Sequence, residues 1–355
     1  MRRARMTKAG IRGMALLLAG SLALVACASD EESGSGGSGG SGGSDGELRV
    51  GVAYDTGGRG DKSFNDSAIA GVEAAVDELG GEIQELSPNE DGSNRAELLT
   101  QLAENDFNPV IAVGFAYGEI IGDIAGEYPD TQFAIVDTSV EEMGVDNLTG
   151  LVFAEEEGSF LAGVAAASKS ATGRIGFVGG SESPLIRKFE AGYRAGAEAV
   201  KPGIPVDVTY LSPAGDPSGF GDPEGGKVAA QGMYQAGADI VFHAAGGSGE
   251  GVFEAAVEAG QRAIGVDSDQ YLSASPQQQA VIMTSMLKRV DLAVESYLTD
   301  FAEGDVEGGT DILNDLSTDG VGLSTSGGFI DDIQDVIADY RQQIIDGEIE
   351  VPTTP

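Results

Sequence analysis

Leu48-Arg49-Val50-Gly51-Val52-Ala53 runs directly into Tyr54-Asp55-Thr56-Gly57-Gly58-Arg59-Gly60-Asp61-Lys62-Ser63-Phe64-Asn65, and a helical apolar pattern follows from 68 to 79. An apolar strand that breaks into a glycine-rich turn and reopens as a helix places its loop at the carboxyl edge of a parallel sheet. Open α/β sheets collect ligands at that edge. The loop carries two carboxylates, an amide, a hydroxyl and an aromatic ring, a set suited to a polar ligand with a flat face.

The same alternation continues outward. Strands are expected at 48–54, 82–86, 109–114, 132–137 and 148–153, with helices at 63–79, 93–104 and near 117–127. The order βαβαβαβ implies a parallel sheet covered on both faces. The pattern then restarts. A helix at 156–168 leads to strands at 174–179, 206–211, 239–244, 262–267 and 281–287, separated by helices at 183–200, up to 236, 250–259 and 289–301. Two short runs at 310–313 and 320–323 read as a hairpin, and a last helix covers 330–345. Several strands end in Asp or Gly, namely Asp55, Gly114, Asp137, Gly179 and Asp267, the positions expected to face a cleft.

At 355 residues the chain exceeds the usual span of one core, so two lobes are expected. The expected class is α/β, a type I periplasmic-binding-protein fold of two doubly wound Rossmann-like lobes joined by a hinge. The expected N-terminal lobe comprises 47–153 plus about 285–325, the C-terminal lobe 154–284, and a terminal helix and tail 326–355.

The beginning of the chain has another character. Arg2, Arg3, Arg5, Lys8 and Arg12 precede a short apolar run, 14–26, which ends in Leu24-Val25-Ala26-Cys27. Residues 1–26 therefore read as a lipoprotein signal peptide, and Leu24–Cys27 resembles a lipobox. Cys27 is the only cysteine, so no intramolecular disulfide is possible, and lipid attachment accounts for its presence. Residues 27–46 form the lipidated Cys and a Gly/Ser tether, which as a coil reaches roughly 20–25 Å. The expected location is the extracytoplasmic face of a cell membrane.

Charge narrows the partners. The chain has 58 acidic against 20 basic residues, and five of the basic ones lie in the first twelve positions. Such a surface repels nucleic acid. A single histidine, His243, and one cysteine leave no common zinc set and no His-based nucleophile system. His243, inside an apolar strand run, is expected as a buried, hydrogen-bonded imidazole.

Asp61-Lys62-Ser63-Phe64-Asn65-Asp66-Ser67-Ala68, with Asp55 upstream, resembles the basic membrane protein family, the PnrA-like nucleoside-binding lipoproteins of ABC transporters. So do Gly150-Leu151-Val152-Phe153, Ile175-Gly176-Phe177-Val178-Gly179-Gly180, Arg187-Lys188-Phe189-Glu190-Ala191-Gly192-Tyr193, Ala245-Gly246-Gly247-Ser248-Gly249-Glu250, Gly265-Val266-Asp267-Ser268-Asp269 and Thr284-Ser285-Met286-Leu287-Lys288. Each is weak alone; their order and spacing are specific, and they span nearly the whole chain beyond residue 46.

The resemblance implies a monomeric binding protein with no cofactor that captures a purine nucleoside of the guanosine, inosine or adenosine type for an ABC permease and ATPase. It implies Phe64 as a ring stacked on the base, a contact worth about 1–3 kcal/mol, with Asp55, Ser63 and Asn65 as polar partners. Phe64 could equally be the first core residue of its helix, with Ser63 or Asp61 as N-cap. Asp267 is implied as the acceptor of two ribose hydroxyls, although it could be a helix N-cap; Asp269 is an alternative cap. Lys288 would reach the ribose or balance Asp267, against the exposed fate common to lysines. Asp137 is a similar strand-end acid. Gly246 would let backbone approach the sugar, or simply make a tight turn. Phe220 is a candidate second ring and Tyr117 a further pocket residue, whereas Phe189 and Tyr193 are expected to face the core. A nucleoside-cleaving enzyme, and a sensor of the same fold that takes another polar solute, remain as alternatives.

Overall fold

The computed structural model describes residues 48–89 and 91–355; the signal peptide, Cys27 and the tether fall outside them. Two six-stranded sheets form the frame. The first contains β1 (Leu48–Ala53), β2 (Gly81–Leu86), β3 (Val110–Ala112), β4 (Phe133–Val136) and β5 (Leu148–Phe153), connected by α1 (Phe64–Leu79), α2 (Arg95–Glu104) and α3 (Ile121–Glu127). The chain then crosses at Ala154 into α4 (Glu155–Lys169). The second sheet follows as β6 (Ile175–Ser181), β7 (Val206–Ser212), β8 (Ile240–Ala244), β9 (Arg262–Asp267) and β10 (Ile282–Lys288). Its connections are α5 (Pro184–Val200), α6 (Pro223–Gln235), α7 (Gly249–Ala259) and two single-turn helices, α8 (Gln270–Ser273) and α9 (Pro276–Gln279). Next come α10 (Val290–Glu303), β11 (Asp311–Asn314), β12 (Val321–Leu323) and α11 (Gln334–Ile345).

Strand order is β2-β1-β3-β4-β5-β11 in one lobe and β7-β6-β8-β9-β10-β12 in the other. Every pairing is parallel except β12 on β10. Val50, Val52, Ile111, Ile135, Phe177, Phe242 and Ile264 are fully buried, as expected for strands covered on both faces. Both orders reverse direction beside their first strand, so β1/β3 and β6/β8 are the topological switch points where such sheets receive ligands.

Three departures from the sequence expectation bear on how the lobes are joined and end. β11 and β12 are not a hairpin: β11 joins β5 in parallel, whereas β12 joins β10 in the opposite lobe. Two short runs around a polar turn look like a hairpin locally, but each sheet here has an open edge that takes one of them. Consequently 285–325 does not belong wholly to the first lobe. α10 packs on α1 and β11 extends the first sheet, while β10 and β12 stay in the second. The final α-helix begins at Gln334, after a 3-10 turn at Asp331–Ile333. The lobes are thus linked by three crossings: at 154, at 289 and between 314 and 321.

Candidate functional site

Between the lobes lies a cavity lined by residues of both. The first lobe contributes Asp55, Thr56, Asp61, Phe64 and Asn65 after β1, Phe115 after β3, and Asp137 after β4. The second contributes Leu185, Ile186 and Phe189 from the first turns of α5, Phe220, the backbone around Gly246 after β8, Asp267 after β9, and Lys288 at the end of β10. Both switch points therefore open into one space.

The loop after β1 is built by its own polar side chains. Asp61, rather than Ser63, caps α1: its carboxylate accepts from the backbone N–H of Ser63 (3.0 Å), Asn65 (2.9 Å) and Asp66 (3.1 Å). Asp66 accepts in turn from the N–H of Gly60 and Lys62 at 2.7 and 3.0 Å. Asn65 ties the loop to the strand end. Its Oδ1 accepts from Asp55 N–H at 3.0 Å, and its amide donates to Asp61 Oδ2 at 3.0 Å and to the Thr56 carbonyl at 3.4 Å. Both amide hydrogens of Asn65 are thus occupied within the loop.

Lys288 is the electrostatic centre. Its side chain is 2% exposed, with Nζ 2.5 Å from Asp137 Oδ1 and 3.2 Å from Glu155 Oε1. The ammonium also sits over three rings, Phe153, Phe64 and Phe189, at 5.0, 5.1 and 5.7 Å from their centroids. Burial works to lower its pKa, but Asp137, Glu155 and Asp267 outweigh burial and hold the ammonium charged well above the ordinary lysine value. Burial pushes the Asp267 carboxyl up to about 6 against the pull of Lys288 and the Ser63 hydroxyl. It raises Asp137 too, against Lys288. Glu155 reaches Lys188 through its other oxygen at 3.2 Å, so a chain of alternating charges leads from the cavity toward the first crossing.

Several bonds join the lobes across the cavity. Ser63 Oγ donates to Asp267 Oδ2. The Lys62 carbonyl accepts from Ser268 Oγ at 3.0 Å and from Gln270 Nε2 at 3.1 Å. Lys62 holds a left-handed backbone, φ 54°, and so do Asp137 and Asp267, φ 72° and 63°.

After β1, Asp55 pairs with Arg95, the first residue of α2. Arg95 Nη2 lies 3.4 Å from Asp55 Oδ1 and 3.0 Å from Thr56 Oγ1, and the guanidinium carbon stands 5.8 Å from the centroid of the Tyr117 ring. Asp55, Phe115 and Phe220 are shared with a neighbouring cavity that Arg95 and Glu119 also line.

Of the residues expected at the site, Asp55, Phe64, Asn65, Asp137, Phe220, Gly246, Asp267 and Lys288 line the cavity. Ser63 does not line it, but bonds to Asp267. Tyr117 is misplaced by two positions. It is fully buried and its hydroxyl donates to the Tyr54 carbonyl at 2.7 Å, while Phe115 lines the cavity instead. Both lie in a 3-10 turn, whose tight pitch sends residues two apart in different directions. Phe189, expected in the core, is buried in the main hydrophobic cluster and lines the cavity wall as well. Its signal was positional, since the first turns of a helix after a strand border the carboxyl edge. Asp269 stands at the N-cap position of α8, but its side chain makes no capping bond there; its carboxylate accepts from Ser326 Oγ at 2.6 Å. Glu155 and Arg95 went unread, because buried partners of a binding residue carry no mark in sequence. His243 is buried as expected, but neither ring nitrogen has a hydrogen-bond partner among the described residues. The ring packs edge-on against Phe253, and burial lowers its pKa to about 4.

Known proteins match this chain along most of its length. The family model of PnrA-like ABC transporter substrate-binding proteins covers residues 48–355. The CD4+ T-cell-stimulating antigen of Listeria innocua is 34% identical over 96% of this chain and 98% of its own. The ABC transporter nucleoside-binding protein BmpA of Lactococcus lactis is 32% identical over 98% and 100%. Among solved structures, an ABC transporter solute-binding protein from Aeropyrum pernix K1 superposes with a TM-score of 0.75 at 27% identity, covering 86% of this chain and 93% of that one. A transcriptional activator of the comK gene from Bacillus halodurans shares the fold, with a TM-score of 0.67 at 22% identity over 86% and 99%.

Proposed function

Because the chain belongs to the PnrA-like family of ABC transporter substrate-binding proteins, we propose that it captures a purine nucleoside between its lobes and delivers it to an ABC permease and its ATPase. The observation that carries this reading is the composition of the interlobe cavity: Phe64 and Phe220, one from each lobe, share it with Asp267, Asp137 and Lys288. Two rings from opposite lobes suit a flat heterocycle held from both sides. Buried acids held near a fixed ammonium suit the vicinal hydroxyls of a ribose, since an ionised carboxylate accepts from both at once. That the Asp55 side adjoins one neighbouring cavity and the Asp137 side another supports separate places for base and sugar.

Binding draws residues from both lobes, so a hinge at the three crossings would open the site for release. Among the described residues no helix is long and apolar enough to cross a membrane. Attachment is assigned to a lipid on Cys27, which places the monomer on the extracytoplasmic face.

Mass spectrometry of the purified protein, denatured under mild acid, tests both parts. It should release a purine nucleoside and show a diacylglyceryl group on the peptide that begins at Cys27. Calorimetry with refolded protein should find a nucleoside bound about 100-fold or more tighter than its free base, because the base alone leaves Asp267 unpaired. Equal affinities for base and nucleoside would overturn the ribose assignment.

A further inference from the structure

We infer that Arg95 determines which purine the site accepts: by pairing with Asp55 it keeps that carboxylate a hydrogen-bond acceptor, and an acceptor there selects a 6-oxopurine, hypoxanthine or guanine, over adenine. This rests on the nucleoside reading above and adds the class of base to it.

Arg95 does not line the nucleoside cavity itself, yet its side chain is only 11% exposed. Its Nε is buried without a partner among the described residues, so this placement is not one that hydrogen bonding alone optimises. The surrounding backbone is shaped around the pair. A Cβ on Gly92 would fall 1.9 Å from Arg95 Nη1, and one on Gly114 would fall 2.4 Å from Asp55 Oδ2. Both glycines have positive φ, 67° and 105°, which other residues adopt only with strain. Tyr117, braced by its bond to the Tyr54 carbonyl, provides the face over which the guanidinium lies.

Asp55 keeps one oxygen without a partner among the described residues. Its Oδ1 accepts from Thr56 N–H at 2.7 Å and faces Arg95, whereas Oδ2 has no hydrogen bond among the described residues. Burial pushes this carboxyl up; the Thr56 N–H and Arg95 oppose it. The other charged groups on this side are acids: Asp61 on the same loop, and Glu119 and Asp216 lining the neighbouring cavity. The cation that does line the cavity, Lys288, is engaged by Asp137 and Glu155. Arg95 is therefore the cation on which the ionisation of Asp55 depends. Asn65 does not compete for the base edge, since its hydrogens are held by Asp61 and Thr56.

The consequence for the base is direct. A 6-oxopurine presents its N1–H as a donor, which an ionised Asp55 accepts. Adenine can offer an exocyclic amino hydrogen, but it then sets its N1 lone pair against the same carboxylate. A protonated Asp55 would relieve that repulsion; an ionised one cannot.

The test compares inosine and adenosine by calorimetry at pH 5.5 and 8, using the intact protein and its Arg95→Gln and Arg95→Lys variants. The wild type should favour inosine by about tenfold or more at both pH values. In Arg95→Gln the preference should shrink, and shrink further at pH 5.5, where Asp55 gains a proton; Arg95→Lys should restore most of it. A preference unchanged in Arg95→Gln at both pH values, or a wild type that favours adenosine, overturns the inference while leaving the nucleoside reading intact. If neither nucleoside binds the wild type, the nucleoside reading fails and this inference with it. Should Arg95→Gln fail to fold, Asp55→Asn carries the test: its amide can donate to adenine N1, so the two affinities should converge, and an undiminished inosine preference overturns the inference.

Discussion

Asp267 ends β9 with a left-handed backbone and a buried side chain, a combination that costs conformational energy and persists only where the surroundings impose it. Its carboxyl, raised to about 6 from the ordinary 3.8 by burial, keeps in the folded chain a proton that the unfolded chain gives up. Between about pH 4 and 6 the folded state therefore binds more protons, and this group's contribution to stability falls as pH rises through that window. A ribose hydroxyl that donates to the carboxylate favours the ionised form. Nucleoside affinity should consequently increase from pH 5 to 7, with a proton expelled on binding. Calorimetry at pH 5.5 in two buffers of different ionisation enthalpy should report release of about three-quarters of a proton, and Asp267→Asn should abolish it. Release that survives in the variant would assign the proton to another group. Residues of this kind were legible because a strand end has a fixed address: Phe64, Asp137, Asp267 and Lys288 follow or close strands whose apolar runs are plain in the sequence. Phe115 and Tyr117 were confused because the turn that holds them has no periodic signature. Arg95 was invisible, because it acts on the site through another side chain.

At the scale of elements, α4 and α5 meet more closely than ordinary helices. A Cβ on Gly163 would lie 2.1 Å from the Tyr193 carbonyl oxygen, one on Gly192 2.0 Å from that of Glu156, and one on Gly196 1.9 Å from that of Phe160. The obstacle at each is backbone, so a methyl group cannot be accommodated by a rotamer change and the helices must separate. Since α4 leaves the first crossing with Glu155 and α5 begins with three cavity residues, their spacing also fixes one wall of the site. Gly196→Ala should destabilise the protein by about 1–3 kcal/mol in urea unfolding. Gly232→Ala, on the exposed side of α6 with nothing within 4 Å, is the control; it should be neutral or stabilising by up to about 1 kcal/mol. Equal losses in both would mean that contact is not the cause. The long strands and helices were readable from period and caps. Pairing was not readable for β11 and β12, whose few residues carry no address and whose partners are set by whichever sheet edge stands open.

For the whole molecule, two lobes were legible from the restart of the strand–helix alternation, while the exchange of segments between them was not, since a crossing looks like any other loop. The acidity was legible and its effect is global. Beyond the first twelve positions fifteen basic side chains stand against 58 acidic ones, so most carboxylates have no cation to meet. The surface pairs that do form, such as Lys227 with Glu254 and Glu258 or Lys169 with Asp332, are of the exposed kind worth roughly 0–1 kcal/mol each. Repulsion among the remaining carboxylates acts over tens of ångströms at low salt and opposes compaction. The screening length shrinks from about 30 Å at 0.01 M to about 3 Å at 1 M. Salt should therefore remove more repulsion than attraction, and the urea midpoint should climb between 0.01 and 1 M sodium chloride. The dependence of unfolding on urea should keep its slope, because the surface exposed is the same. A midpoint that falls with salt would mean that the few ion pairs, rather than the excess of acids, dominate the electrostatics of this chain.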